Sequence, residues 1–397
     1  MIRTLRLTNF RSHADTVLQL QPVTLMVGPA GAGKSNIFKA MVLLQNSIHR
    51  SLVEMFPPGL GEFHWVRSRW AGETDPIGFE VEVDSLPEYP DTVATYTLRI
   101  ADAPVIGHYV LEETLMRREK NGPLDWVFQR RRGRSQMGEF GSIEPDMPTI
   151  LHRIWHEEAG VNLQATNVRF AKTVAKALSQ FGYYHLEAGE LKSLGTGQTV
   201  DRIGYYGERV PDFVAWAKSE AKSDPANARI YDTILDEMRG ILPTLGSIII
   251  TPQNDKQGIA FSFQEHRGYI AAPDLSDGTM FTLGMLCIFN TPRKPQVLCI
   301  EEPETGLHPR RLRWLFDKLL SLAYPPEGQM PTQIVLTTHS PSYVDLFKDM
   351  LPSVQVVEQK DGRTKITPLS EIIHRLHLSP DQEGIGYQWA TGLFEGL

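Results

Sequence analysis

The sequence predicts an α/β fold: a parallel sheet covered on both faces, an antiparallel β lobe and a helical insertion. Three observations lead to it. Val23–Val27, Val297–Ile300 and Ile334–Thr338 are continuous apolar runs, the pattern of strands buried on both faces. Ile77–Val83, Thr92–Ile100 and His108–Leu115 alternate apolar with polar residues, as half-exposed antiparallel strands do. From about 147 to 242 the spacing turns helical, with helices expected at Thr166–Phe181, Pro211–Lys222 and Ala226–Leu242 and a break at Asp224-Pro225.

In chain order, Ile2, Leu5 and Leu7, then Val17, Leu18 and Leu20, then Val23–Val27 read as three strands, with a turn-like break at Asn9-Phe10-Arg11-Ser12. The third strand runs into Gly28-Pro29-Ala30-Gly31-Ala32-Gly33-Lys34-Ser35, which has the spacing G-x-x-x-x-G-K-S. A helix follows over Asn36–Ser51, its stripe set by Ile37, Met41, Leu44 and Ile48 and widened by Phe38, Val42 and Leu43. Strand, glycine-rich turn and helix in that order describe a phosphate-binding loop. Glycines let backbone N–H groups wrap a phosphate at the positive end of the helix, Lys34 reaches the β- and γ-phosphates, and the Ser35 hydroxyl is placed to coordinate Mg²⁺.

A loop rich in Pro, Gly and Trp covers 52 to 75, before the alternating segments. These end in the most basic stretch of the chain, where Arg117, Arg118, Lys120, Arg130, Arg131, Arg132 and Arg134 are interleaved with Trp126 and Phe128. Such a hairpin either touches a nucleic-acid backbone or is a solvated face. Strands return at Ser247–Thr251 and Ile259–Gln264. Leu275-Ser276-Asp277-Gly278-Thr279 then opens a helix containing Phe281, Leu283, Leu286 and Ile288. The strand Val297–Ile300 ends in Glu301-Glu302-Pro303-Glu304, and Ile334–Thr338 ends in His339-Ser340-Pro341. Polar residues ending buried parallel strands lie at the carboxyl edge of the sheet, where such folds bind ligands. There Glu301 can hold Mg²⁺ directly or through water, Glu302 can orient or deprotonate an attacking water, and His339 can sense a γ-phosphate.

Composition narrows the classes. The chain has 397 residues, 41% hydrophobic and 22% charged, long enough for two or three domain-sized units. No apolar run approaches the roughly 18 residues of a membrane span, and Met1–Leu7 lacks a signal-peptide core. The expectation is a cytoplasmic protein without membrane contact. A net charge of −7 argues against whole-molecule electrostatic binding to nucleic acid, although a local patch remains open. Cys287 and Cys299 lie in apolar stretches and are expected to be inert buried thiols.

The order of phosphate loop, L-S-x-G signature, acidic strand end and His-terminated strand resembles an ABC-type ATPase head of the P-loop NTPase fold. The wording resembles the RecF/SMC-like branch, and within it predicted AAA-family ATPases related to the OLD family. The matching stretches are Leu7–Ser12, Leu275–Thr279, Glu301–Glu304 with Gly306-Leu307-His308-Pro309, Thr337–Pro341 and the C-terminal Tyr387–Phe394. The resemblance implies ATP and Mg²⁺ as cofactors. It implies nucleotide contacts from Gly28, Gly31, Ala32, Gly33, Lys34, Ser35, Asn36 and, by analogy, Arg11, with Ser35 and Glu301 on the metal and Glu302, His339 and Lys34 in catalysis. It also implies a dimer or higher oligomer, in which Ser276, Asp277 and Gly278 of one copy complete the site of another and Gly306–Pro309 acts as the D-loop. Glu301 departs from the usual Asp of the acidic pair, and the Q-loop glutamine has no clear position among Gln45, Gln129 and Gln136.

About 240 residues separate Ser35 from Leu275, and no coiled-coil heptads fill the gap, so a compact inserted lobe is expected. The domain expectation is 1–145 for the loop-bearing part of the head with its antiparallel lobe, 146–245 for the helical lobe and 246–397 for the rest of the head. The functional expectation is an ATP-dependent dimerising switch acting on DNA or a partner effector, in genome maintenance or anti-phage defence. The alternatives are a membrane-transporter ATPase subunit and a nucleotide-binding scaffold of very low turnover. Only 58 residues follow His339, so any nuclease is expected on a separate chain.

Overall fold

The strand Val23–Val27 (β3) is buried at every residue, the pattern of a strand in a sheet covered on both faces. A computed structural model describes the chain except residues 57–61, 104–106, 121, 132–134, 137, 141, 144–146, 159, 265–266, 379–383 and 395–397. The chain forms two compact units. The first holds residues 1–182, 296–299 and 333–397; the second holds 183–295 and 300–332.

The first unit begins with β1 (Ile2–Phe10) and β2 (His13–Gln19), followed by β3 and the helix α1 (Lys34–His49). After a short helix α2 (Phe63–Val66) come β4 (Ile77–Val83), β5 (Thr92–Ala103), β6 (Gly107–Glu119) and β7 (Leu124–Arg131). These make an antiparallel sheet of order β2-β1-β4-β5-β6-β7. Leu5 pairs with Val81 and Leu7 with Phe79, so the period-2 pattern puts one apolar row on one face. Two-residue strands β8 (Ser135–Gln136) and β9 (Ser142–Ile143) precede helices α3 (Ile150–Trp155) and α4 (Thr166–Ser179).

The second sheet has the order β10-β14-β15-β3-β16-β17. Its strands are β10 (Phe181–Tyr184), β14 (Val297–Glu301), β15 (Gln333–Thr338), β3, β16 (Val354–Lys360) and β17 (Arg363–Pro368). β15 and β16 both run parallel to β3, and β17 returns antiparallel to β16. This is the expected covered parallel sheet. Among the described residues the unit also holds helices Pro341–Val344 (α10), Leu369–Leu376 (α11) and one at Ile385–Ala390.

The second unit contains α5 (Ala188–Leu191), α6 (Val210–Lys218), α7 (Ile230–Ile241), α8 (Asp277–Phe289) and α9 (Pro309–Ala323), with an antiparallel sheet of β11 (Leu245–Gln253), β12 (Lys256–Phe263) and β13 (Tyr269–Ala271). Every residue of α8 from Thr279 to Phe289 is buried, as a helix apolar all round must be.

Three helix boundaries differ from expectation. The helix begun at Thr166 stops at Ser179, and Phe181–Tyr184 is a strand of the parallel sheet. Four residues of Phe-Gly-Tyr-Tyr are too short for a period, and only their sheet neighbour makes them a strand. The helix read to Lys222 ends at Lys218 before a 3₁₀ turn, and the one read from Ala226 starts at Ile230. Among the described residues no helix is long and apolar enough to cross a membrane.

The basic hairpin is not one uniform face. Arg130 is 1% exposed, lies 3.8 Å from Glu113 and donates to Pro148 O at 2.7 Å and Met147 O at 3.1 Å. Glu113 accepts from the amides of Ile150 and Leu151 and from Tyr96 OH, so this pair docks the start of α3 on the sheet. Phe128 is buried, Arg117 lies over the Phe170 ring, and Arg131 is exposed beside Glu112. Arg132 and Arg134 lie outside the described residues. Truncating Arg130 would leave a buried carboxyl without its cation, so Arg130→Ala should cost about 3 kcal/mol or more in denaturant unfolding. Arg131→Ala should stay within about 0.5 kcal/mol.

Candidate nucleotide site

At the end of β3 the chain turns through Gly28, where a Cβ would lie 2.0 Å from Val357 O of the neighbouring strand β16. Only glycine allows that approach. The loop closes on Gly33, held at φ 106° as N-cap of α1. A Cβ there would meet Thr364 Oγ1 at 2.3 Å and Ser12 Oγ at 2.8 Å. The positive end of a 16-residue helix therefore opens onto this loop. Lys34 is buried, and its ammonium donates to Gly28 O at 2.7 Å and Pro29 O at 3.0 Å, so the loop is wrapped round its own cation.

A collar of side chains fixes the loop from outside. Thr364 Oγ1 donates to Ala32 O at 2.8 Å and lies 2.8 Å from Ser12 Oγ, to which Asn36 Nδ2 donates at 3.2 Å. His13 is fully buried with Nε2 3.2 Å from Gly33 O. A carbonyl only accepts, so Nε2 carries the proton. Burial pushes the His13 pKa down to about 4, against the opposing pull of that carbonyl.

Beside the loop lies a cavity of about 650 Å³ whose lining includes Arg11, Gly31, Asn36, Trp65, Arg67 and Trp70. Asn9 and Arg11 both hold the left-handed conformation, at φ 54° and 49°, which makes the corner between β1 and β2. The Trp70 ring packs where Gly362 lacks a side chain, with the Arg69 and Arg363 guanidiniums 5.2 and 5.8 Å from its centre. Guanidiniums and flat aromatics suit the charged and planar parts of a nucleotide. Thr338 pairs with Val27 in the ladder, so His339, exposed, leaves β15 level with Gly28 leaving β3. Arg11, the residues from Gly28 to Asn36 and His339 therefore come together in the first unit.

The remaining expected residues group in the second unit. Glu301 ends β14. Tyr183 OH donates to its Oε1, Tyr205 OH lies 2.9 Å from Tyr183 OH and 3.5 Å from the same Oε1, and His185 Nδ1 lies 3.7 Å from Oε2. The Glu301 carboxylate raises the His185 pKa, and burial, with Glu301 next, raises that of Tyr183. Glu302 sits at φ 43°, a strained conformation costing about 1–3 kcal/mol that is found at functional sites.

Ser276 caps α8, accepting from Thr279 N at 3.2 Å, and Asp277 pairs with Lys192 at 2.6 Å. A Cβ on Gly278 would lie 2.5 Å from Gly306 O, so the segments Ser276–Gly278 and Gly306–Pro309 approach each other through backbone. Neither Gln45 nor Gln129 stands at the phosphate loop: Gln45 donates to Ser179 O at 2.7 Å, and Gln129 lies in β7, paired with Thr114 of β6. Gln136 lies in the two-residue strand β8.

Sequence reasoning missed His13, Trp65, Arg67, Trp70 and Thr364 around the loop, and Tyr183, His185 and Tyr205 around Glu301. The Trp-rich composition of 52 to 75 was the one visible signal. His13, Thr364, Tyr183 and Tyr205 depend on contacts between residues 20 to 332 apart in the chain.

A phosphate loop on a parallel strand, a His-ended strand beside it and an acid-ended strand in the same sheet define the ATPase head of the ABC and SMC type. The family model described as "AAA domain, putative AbiEii toxin, Type IV TA system" matches residues 23–345, and the chain belongs to that family. No curated protein matches the sequence. A crystal structure of an Smc head bound to the C-winged helix domain of ScpA is similar over 94% of this chain and 99% of that one, with 12% identity and a TM-score of 0.52. The SMC head domain from Thermotoga maritima aligns over 92% of this chain and 98% of its own, at 14% identity and TM-score 0.44. The Pyrococcus furiosus Smc head with an extended coiled coil, bound to the C-terminal domain of ScpA, aligns over 95% and 98%, at 12% and 0.47. The first match supports the fold.

His13 gives a pH signature. An unfolded histidine titrates near 6.5 while the folded one resists protonation to about 4, so its stabilisation is complete above pH 6.5 and lost as pH falls toward 4. Wild type should lose about 2 to 3 kcal/mol more than His13→Gln between pH 7 and pH 4.5 in urea unfolding.

Proposed function

We propose that this chain binds ATP with Mg²⁺, hydrolyses it, and dimerises head to head as a switch acting on a partner effector or DNA, in genome maintenance or anti-phage defence. The observation that carries this reading is the loop closed round the Lys34 ammonium at the head of α1, beside a cavity lined by arginine and tryptophan.

The residues present fit the nucleotide and the metal, each in its own unit: a glycine-built cradle with a buried cation and the Ser35 hydroxyl in the first, and the hydrogen-bonded Glu301 carboxylate in the second, both oxygen donors of the kind Mg²⁺ takes. In this reading Lys34 exchanges its two loop carbonyls for the β- and γ-phosphate oxygens, and Asn36 and Arg11 face the rest of the nucleotide. Ser35 and Glu301 hold the metal, which neutralises phosphate charge when bound. Glu302 orients the attacking water and takes its proton, and His339 contacts the γ-phosphate. Ser276, Asp277 and Gly278 complete the site of a second copy, so that ATP joins the dimer and hydrolysis releases it.

An Smc head bound to a winged-helix domain supports a separate protein partner docked on this kind of head. The burial of Arg130 removes one residue from any DNA-contacting face, and the DNA part of the proposal rests on the family resemblance.

Glu302→Gln should lower kcat about 10²- to 10⁴-fold while light scattering with ATP shows a stable dimer absent without nucleotide. A variant that hydrolyses ATP at the wild-type rate, or whose mass does not respond to ATP, would overturn the switch.

A further inference from the structure

The carboxylate at the end of β14 is a glutamate with one more rotatable bond than an aspartate, and such freedom costs free energy when a metal must fix it. In the second unit two chain segments converge on it. His185 N donates to Tyr205 O at 2.9 Å and Glu187 N to Tyr206 O at 2.9 Å, zipping residues 183–187 to residues 203–208. The second segment is locked in turn by Gly204 N to Glu208 O at 2.9 Å and Tyr206 N to Glu208 Oε2 at 2.9 Å. Gly207 sits at φ 94°, where a Cβ would lie 2.6 Å from Leu191 Cδ2.

This zipper brings the Tyr183 and Tyr205 rings to 4.5 Å between centres, and Tyr205 and Tyr206 to 4.3 Å. Their hydroxyls form a relay, Tyr205 to Tyr183 to Glu301 Oε1, while His185 faces Oε2. The two carboxylate oxygens thus have different partners, and rotating the Glu301 side chain breaks the relay. A loose surface glutamate has no such frame.

We propose that Tyr183, Tyr205 and His185 are positioning residues that hold the Glu301 carboxylate in one orientation, offsetting its extra methylene so that it serves as a Mg²⁺ ligand. This rests on the Mg²⁺-dependent ATPase reading above. Outer partners of metal ligands contribute about 10- to 100-fold in metal affinity. The relay acts on the metal and leaves nucleotide binding in the phosphate loop unchanged.

The test uses the full chain and follows free Mn²⁺ by electron paramagnetic resonance during titration with a non-hydrolysable ATP analogue present. Tyr183→Phe and Tyr205→Phe keep the rings and remove the hydroxyls. Each should weaken Mn²⁺ binding about 10-fold, with analogue binding in EDTA and the unfolding midpoint near wild type. In a Glu301→Asp background the same changes should have no further effect, because the shorter carboxylate no longer depends on the relay. Wild-type Mn²⁺ affinity in a folded Phe variant, or equal losses in both backgrounds, overturns the clamp alone. If Tyr183→Phe does not fold, Tyr205→Phe gives the same readout. A wild-type chain that takes up no Mn²⁺ with the analogue overturns the ATPase reading and the clamp with it.

Discussion

The phosphate loop depends on the register of three parallel strands. Val27 is paired with Thr338 on one side and Val356 on the other, so the last hydrogen-bonded row of the sheet sets where Gly28 and His339 leave it. A slip of one residue along this ladder would turn every side chain of a strand to the opposite face. All five residues of β3 are buried, so either face would then be filled wrongly, and the register is specified twice over. The loop needs this stiffness because Gly28 passes so close to the Val357 carbonyl.

Polar groups buried in the first unit act as staples. Glu113 receives the N-terminal amides of α3 and the Arg130 guanidinium, with Thr149 capping the same helix through the His152 amide. Burial raises the Glu113 pKa while Arg130 and these amides draw it down. The residue read from sequence as one of a cationic row is thus part of the interior, and Arg131 next to it faces solvent. Alternation along a strand separates them: neighbours on β7 point to opposite faces.

Local pattern made the larger part of the architecture legible. The continuous apolar runs of β3, β14 and β15 and the period-2 runs of β4, β5 and β6 are where the sequence placed them, and the glycine spacing after β3 located the loop. What escaped was short or distant. β10 has four residues and becomes a strand only through its neighbour in the sheet. Tyr183 and Tyr205 are ordinary aromatics until the zipper of 183–187 and 203–208 brings them to Glu301. Thr364 and His13 have no motif; they matter because they hold the carbonyls of Ala32 and Gly33. The C-terminal hairpin of β16 and β17, which carries Thr364, went unread because nothing in its own sequence refers to the loop it supports.

That hairpin has a consequence for synthesis. The carbonyls at 32 and 33 are held by one residue at position 13 and another at position 364, a separation of 332 residues from Ala32 to Thr364. β3 also pairs on both flanks with strands made after residue 332. Contacts this far apart form late, because the intervening chain must be closed first. On the ribosome, where N-terminal segments emerge first, the loop has its glycines and lysine from the outset but no walls until most of the chain has been translated. The first forty residues therefore carry the glycine-and-lysine motif long before they have its shape.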